Sequence, residues 1–272
     1  MALVSQLRLV TFDATNTLMT LARPVGQQYR DLLARQLGGG TTVEGVSEQA
    51  IEASFLQAYA ERAGEVPCFG SGCMSSQEWW RPLVRQTYVG SGVDAAALDA
   101  GFDQLFGRLW DHFSGTDAWQ LLPGARELLE ALDAYRREHP EQGLRLGVVS
   151  DWDERLPSLL RSLGIDGHFD FINAAYTVGH AKPAAEAFEA ALAAAGGVAA
   201  GDCLHIGDSL SRDVRGPVEA GMGAVLLSEP AEGSEEAALL EEWGGAAGGL
   251  HVSADGLAGL AELLGLPDAS SL

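Results

Sequence analysis

The short apolar run Leu7 to Phe12 stands alone near the start of the chain, and the next of its kind is Leu144 to Val149. A run like this, closed by Asp13, reads as a strand buried on both faces, and its backbone donors and acceptors must pair with neighbouring strands. Its partners have to come from far along the chain. They are available after Pro123-Gly124, where short apolar runs at Leu144 to Val149, Phe169 to Asn173, Cys203 to Ile206 and Ala224 to Leu227 alternate with helical stretches. That alternation predicts a parallel sheet covered on both faces by helices. The fold class is therefore α/β: a doubly wound, Rossmann-like parallel sheet built from residues 1–19 and 116–272.

Between these parts the texture changes. Val25, Tyr29, Leu32, Leu33 and Leu37 recur at three-to-four spacing, as do Ile51, Phe55 and Tyr59, then Trp79, Trp80, Leu83 and Val84. The strongest periodic run is Leu98, Phe102, Leu105, Phe106, Leu109, Trp110 and Phe113, which predicts one helix. Residues 20–115 thus read as an inserted α-helical bundle, a cap domain without strands of its own. Gly244 to Gly249 reads as a loop, and Glu232, Glu235, Glu236, Glu241 and Glu242 as a solvated helical face.

Charge narrows the choice of partners. The chain of 272 residues has a net charge of −21, and neither nucleic acid nor an anionic membrane rewards that balance. No uncharged apolar stretch reaches the ~18 residues a membrane span needs, and the first residues lack the build of a signal peptide, so the expected location is the cytoplasm. Cys68, Cys73 and Cys203 form an odd set without a second closely spaced pair, which predicts reduced thiols rather than a disulfide framework or zinc site. The 17 basic residues comprise 16 Arg and a single Lys, Lys182.

In an open parallel sheet, ligands bind beyond the carboxyl ends of the strands. The residues at those ends are Asp13, Ser150 and Gly207-Asp208, with Lys182 in the connection before the last of these strands. Singly, each has an ordinary explanation: Asp and Ser after a strand are turn or capping residues, and Lys182-Pro183 suits a loop before a helix. Together they bring carboxylates, a hydroxyl and an ammonium to one edge. Asp213 follows on the next helix as either a first-turn acid or a member of that group.

The segments Phe12-Asp13-Ala14-Thr15-Asn16-Thr17-Leu18, Val148-Val149-Ser150, Lys182-Pro183 and Gly207-Asp208-Ser209-Leu210-Ser211-Arg212-Asp213 resemble, in order, the four motifs of the haloacid dehalogenase-like hydrolase superfamily. The inserted helical segment resembles that superfamily's C1-type cap. The resemblance implies that Asp13 is a nucleophile that forms an aspartyl-phosphate and that Mg²⁺ is the cofactor. Asp13, the backbone carbonyl of Thr15 and Asp208 would be the metal ligands, with Asp213 outside them orienting water. Ser150 and Lys182 would bind phosphate, Lys182 would also keep Asp13 ionised, and the hydroxyl of Thr17 would brace the loop. The implied partner is a small phosphorylated metabolite.

One position departs from that pattern. The superfamily's phosphatases carry a second Asp two residues after the nucleophile as general acid and base, and here that residue is Thr15, which cannot shuttle a proton near neutral pH. Loss of a positioned acid/base costs about 10²–10⁴ in rate. Asp151 is the nearest stand-in by sequence, with capping of the helix beginning near Asp153 as its structural alternative. Three readings follow: a weak Mg²⁺-dependent phosphatase, a phosphate- and Mg²⁺-binding protein that acts through partners, or a metal-independent 2-haloacid dehalogenase. The last would leave Asp208 and Asp213 as uncompensated acid beside the nucleophile. Trp79 and Trp80 cannot share one helix face, and packing in the helical core is the expected role for this pair.

Overall fold

The computed structural model describes residues 2–37, 45–227, 233–234, 237–238, 250–253 and 255–266. The Gly244 to Gly249 stretch and the five glutamates of the 232–242 segment lie outside these residues. Contacts divide the chain into one unit of residues 1–20, 121–151 and 163–272 and a second of 21–120 and 152–162. The sequence division at 19/20 and 115/116 leaves 152–162 with the sheet, whereas the helix Leu156–Ser162 groups with the helical unit.

The strands are β1 (Leu9–Phe12), β2 (Met19–Leu21), β3 (Trp119–Leu121), β4 (Arg145–Ser150), β5 (Phe171–Ala174), β6 (Cys203–Gly207), β7 (Gly223–Leu226) and β8 (Leu250–Val252). Six form one sheet in the order β5-β4-β1-β6-β7-β8, and its strand pairs run parallel. The isolated first run is a central strand, because it is apolar on both faces: all four residues of β1 are buried. Phe12 pairs with both Val148 and Ile206, so Asp13, Ser150 and Asp208 arrive at one end of the sheet within two residues of each other in register. β2 and β3 form a separate two-stranded sheet.

In the helical unit the helices are Val25–Leu37, Glu48–Glu65, Ser76–Gly90, Ala95–Asp99 and Phe102–Phe113, besides Leu156–Ser162. Their apolar stripes meet in a core of Val25, Tyr29, Leu33, Ile51, Val84, Tyr88 and Leu105 among others. The single helix expected over Leu98 to Phe113 is two, broken at Gly101, whose backbone (φ −131°, ψ 12°) lies outside the helical region. Glycine loses the most freedom in a helix, so the chain turns there at least cost. The helix Ser76–Gly90 begins with a capping box, Ser75 accepting from the Glu78 amide and Glu78 from that of Ser75. Trp79 is buried in the helical unit as expected, its Nε1 donating to the Val66 carbonyl at 2.7 Å. Trp80 is half-buried, and its Nε1 donates to Asp153 at 2.7 Å. Cys68, Cys73 and Cys203 are all free thiols. Among the described residues no helix is long and apolar enough to cross a membrane.

Candidate active site

Every side chain of the predicted group belongs to the sheet unit. Asp13 follows β1, and its backbone N–H still donates to Ile206 O at 2.8 Å, which extends the strand ladder by one bond and fixes where the carboxylate starts. Ser150 ends β4 and donates its hydroxyl to Asp13 Oδ1 at 2.8 Å. The same oxygen accepts from Lys182 Nζ at 2.6 Å. Neither donor holds Asp13 Oδ2.

Lys182 also donates to Asp213 Oδ1. Its side chain is 2% exposed, so a buried ammonium bridges two buried carboxylates. Burial works against the charge, but Asp13, Asp213 and Asp151 outweigh it and raise Lys182 well above its ordinary value. Burial likewise opposes ionisation of Asp213, and Lys182 and His205 outweigh it and hold that carboxyl far below the usual range. Asp213 Oδ2 accepts the Ser209 amide at 2.9 Å. Gly207 makes this arrangement possible, since a Cβ there would lie 2.2 Å from Asp213 Cγ.

Asp208 is shifted the other way. Burial raises its pKa first, and repulsion from Asp13 and Asp213 adds to it. One oxygen each of Asp13, Asp208 and Asp213 lie within 4.8 Å of one another. Three hard oxygen donors with surplus negative charge fit a divalent cation such as Mg²⁺. Asn16, left-handed at φ 58°, accepts from the Thr20 hydroxyl with its Oδ1, and a hydrogen bond between its side chain and Asp208 works against the upward shift. Thr15, half-buried, pairs with Met19 in an isolated bridge, which sets the direction of its backbone carbonyl.

Two expectations are corrected. The hydroxyl of Thr17 is buried yet finds no hydrogen-bond partner among the described residues, so it does not brace the loop through Oγ1; the residue contributes as packing. Asp151 does not cap the helix that follows. Its Oδ1 accepts the backbone N–H of Lys182 at 2.9 Å, and Asp153 takes the Arg155 amide at 3.0 Å instead. Burial raises the pKa of Asp151, with Lys182 partly offsetting it.

Two residues escaped the sequence reading. His205, in β6, is fully buried and lies 3.2 Å from Asp213 Oδ1; a His inside an apolar strand next to Gly-Asp was the available signal. Arg212 sits beside the carboxylates: burial opposes its charge, and Asp151, Asp213, Asp13 and Asp208 together overcome that and raise it. Its Nε donates to Ser209 Oγ at 3.3 Å.

The chain has counterparts among known proteins. A family profile described as haloacid dehalogenase-like hydrolase matches residues 7–221. Haloacid dehalogenase-like hydrolase domain-containing protein 3 of Mus musculus is 36% identical over 229 residues, covering 83% of this chain and 84% of that protein. The rhythmically expressed gene 2 protein of Drosophila melanogaster is 30% identical over 231 residues, 83% of this chain and 85% of its own. Among solved structures, the putative HAD-hydrolase YfnB from Bacillus subtilis, described as bound to magnesium, aligns with a TM-score of 0.61 at 20% identity over 96% of this chain and 99% of that one. A HAD phosphatase from Thermococcus onnurineus aligns with a TM-score of 0.59 at 20% identity, over 95% and 98% of the two chains. With a parallel sheet that carries the motif residues at one end and sequence relatives along most of its length, the chain belongs to the haloacid dehalogenase-like hydrolase family.

Proposed function

We propose that the chain is a Mg²⁺-dependent phosphatase of low turnover that acts on a small phosphomonoester in the cytoplasm. The observation that carries this reading is the cluster of Asp13, Asp208 and Asp213 within 4.8 Å, with Lys182 bridging two of them. Asp13, the Thr15 carbonyl and Asp208 would hold the metal. Asp213, with both oxygens already engaged by protein donors, stays outside and orients water. When bound, Mg²⁺ neutralises charge between the nucleophile and the phosphoryl oxygens.

The chain's own residues do the rest. Ser150 and Lys182 hold Asp13 Oδ1, so that Oδ2 is left to face phosphorus as the nucleophile. The new bond is Oδ2–P, the bond broken is the ester P–O, and the departing alkoxide takes its proton from water because Thr15 has none to give at neutral pH. Water then attacks phosphorus, which releases inorganic phosphate and restores Asp13. Both steps lack a positioned acid/base, and this slows them by about 10²–10⁴. In a metal-free site Asp208, raised by burial first and then by Asp13 and Asp213, would add acid beside the nucleophile, which argues against a dehalogenase.

Thr15 also favours a second reading, a protein that binds phosphate and Mg²⁺ and acts through partners. Phosphorylated metabolites incubated with Mg²⁺ separate the two readings. Phosphate release that disappears in Asp13→Asn supports the phosphatase, and release that survives this change overturns the mechanism. Thr15→Asp should raise turnover by about 10²–10⁴ if only the acid/base is missing; no release from wild type or Thr15→Asp favours the binding protein.

A further inference from the structure

His205 is a buried titratable group that the mechanism above does not use. It lies in the middle of β6, and its register partner on β1 is Thr11, so the two side chains are neighbours on one face of the sheet. Thr11 Oγ1 is 2.8 Å from His205 Nδ1, and Asp213 Oδ1 is 3.2 Å from His205 Nε2. The Phe188 ring stands edge-on to the imidazole at 5.2 Å, which holds the ring plane. A hydrogen-bonded line thus runs beneath the site through Thr11, His205, Asp213 and Lys182 to Asp13.

The chemistry of its members sets the proton positions. Ionised Asp213 can only accept, so Nε2 must carry a proton. A proton on Nδ1 as well would make a second buried cation beside Lys182. Nδ1 is then an acceptor, and Thr11 must donate to it; the other acceptor near that hydroxyl, Leu204 O, is 3.5 Å away. We propose that Asp213, with the Thr11 hydroxyl donating to the opposite nitrogen, holds His205 as the neutral Nε2–H tautomer, and that His205 is a positioning residue that fixes the Asp213 carboxylate and, through it, the ammonium of Lys182. Asp213 Oδ1 is shared by His205 and Lys182. Without the His205 donor the carboxylate keeps the Ser209 amide and the movable Lys182 ammonium as its partners, and Lys182 loses a fixed anchor. The tautomer stands independently of any activity; its consequence for ligand binding rests on the phosphatase reading above.

The composition supplies a probe. With one lysine in the chain, lysine-ammonium NMR gives a single side-chain signal, that of Lys182. In the full wild-type protein, two-bond proton–nitrogen correlations should show His205 protonated on Nε2 alone, and Thr11→Val should shift the Nδ1 resonance while Nε2 keeps its proton, because Asp213 still requires a donor. In His205→Phe, proton exchange at Lys182 should quicken by about tenfold, the scale of one lost hydrogen bond to a charged group. In His205→Gln, whose amide N–H reaches the same place, it should return to within about threefold of wild type. Calorimetry with Mg²⁺ and beryllofluoride should show the same order of variants. If wild type binds neither, the phosphatase reading fails while the NMR result still decides the tautomer. A wild-type Nδ1–H tautomer or imidazolium overturns the proposal, as does unchanged Lys182 exchange in folded His205→Phe. Should that variant not fold, a Thr11→Val chain protonated on Nδ1 overturns it, since Asp213 would then not fix the tautomer.

Discussion

The two units bury their charges in different ways. In the helical unit the one fully buried acid among the described residues, Asp153, is matched within that unit: Arg155 donates to both its oxygens at 2.9 and 2.7 Å and Trp80 Nε1 at 2.7 Å. Arg155 in turn lies over the Trp110 ring at 3.8 Å. In the sheet unit, three clustered carboxylates face one buried cation, Lys182. The helical unit is electrostatically closed and the strand-end site is open by at least one positive charge. A cluster that only stabilised the fold would be expected to balance itself as Asp153 does, since unpaired buried charge costs more than it returns. Imbalance at the sheet edge is what the proposed cation site requires.

The sharpest way to break this comparison is to remove the buried cation. Lys182→Met should cost about 5 kcal/mol or more, because Asp13 and Asp213 are left unpaired together. Denaturant unfolding with and without Mg²⁺ reads this directly, and a loss below about 1 kcal/mol would mean that Lys182 does not carry the balance. Acid gives a companion signal. Asp213 is depressed below its usual 3.8, so its contribution is fully present above that pH and is lost as the pH falls through the lower folded value. Lys182 is raised above 10.5, so its share is present below that pH and fades only in strong alkali. Asp208 and Asp151, both raised, act in the opposite sense and soften the acid limb.

In the helical unit the matching change is apolar. Trp79 packs against Phe69 and Trp80 at 5.0 Å each and Tyr59 at 5.8 Å, and Trp79→Ala should cost about 3–5 kcal/mol by leaving a cavity among these rings. Its denaturation midpoint should shift equally with and without Mg²⁺, unlike that of Lys182→Met. Asp153→Asn should cost less, about 1–3 kcal/mol, since Arg155 keeps its seat over Trp110 and loses only the charge of its partner. A cost as large as that of Lys182→Met would show that the helical unit is not closed.

How much of this was legible in the sequence follows from the length of each signal. The five core strands were readable because each is an apolar run bounded by turn residues. β2, β3 and β8 are three residues each, too short for any period to register. Asp13, Ser150 and Asp208 could be placed because strand ends in a parallel sheet converge, Lys182 because it lies in the connection before β6, and Asp213 only through the family resemblance. What Thr17 and Asp151 do could not, because it depends on where a hydroxyl and a carboxylate point once the loops close. His205 was hidden by its setting: among apolar neighbours a histidine reads as core, and only the register with Thr11 shows that both ring nitrogens are engaged.

The finest comparison deletes one hydroxyl from each unit. In the helical unit Tyr88 Oη donates to Tyr29 O at 2.9 Å, and both phenols are buried. Burial, with Tyr29 adding to it, raises the Tyr88 phenol well above its ordinary value, so it stays a neutral donor throughout the working pH range. The Tyr29 carbonyl lies within a helix and keeps a second lone pair for the backbone ladder, so Tyr88→Phe removes one neutral bond and should cost about 0.5–1.5 kcal/mol. In the sheet unit Ser150 Oγ donates to an ionised acceptor, Asp13 Oδ1, at 2.8 Å. Ser150→Ala removes a bond to a charge and should cost about 1.5–3 kcal/mol, with the larger loss in the absence of a cation. Paired unfolding curves at one pH and salt concentration suffice. If Tyr88→Phe proves the more costly, the polar centre of the sheet unit is not where buried polarity is most tightly held, and the contrast between an open and a closed unit fails at its smallest scale.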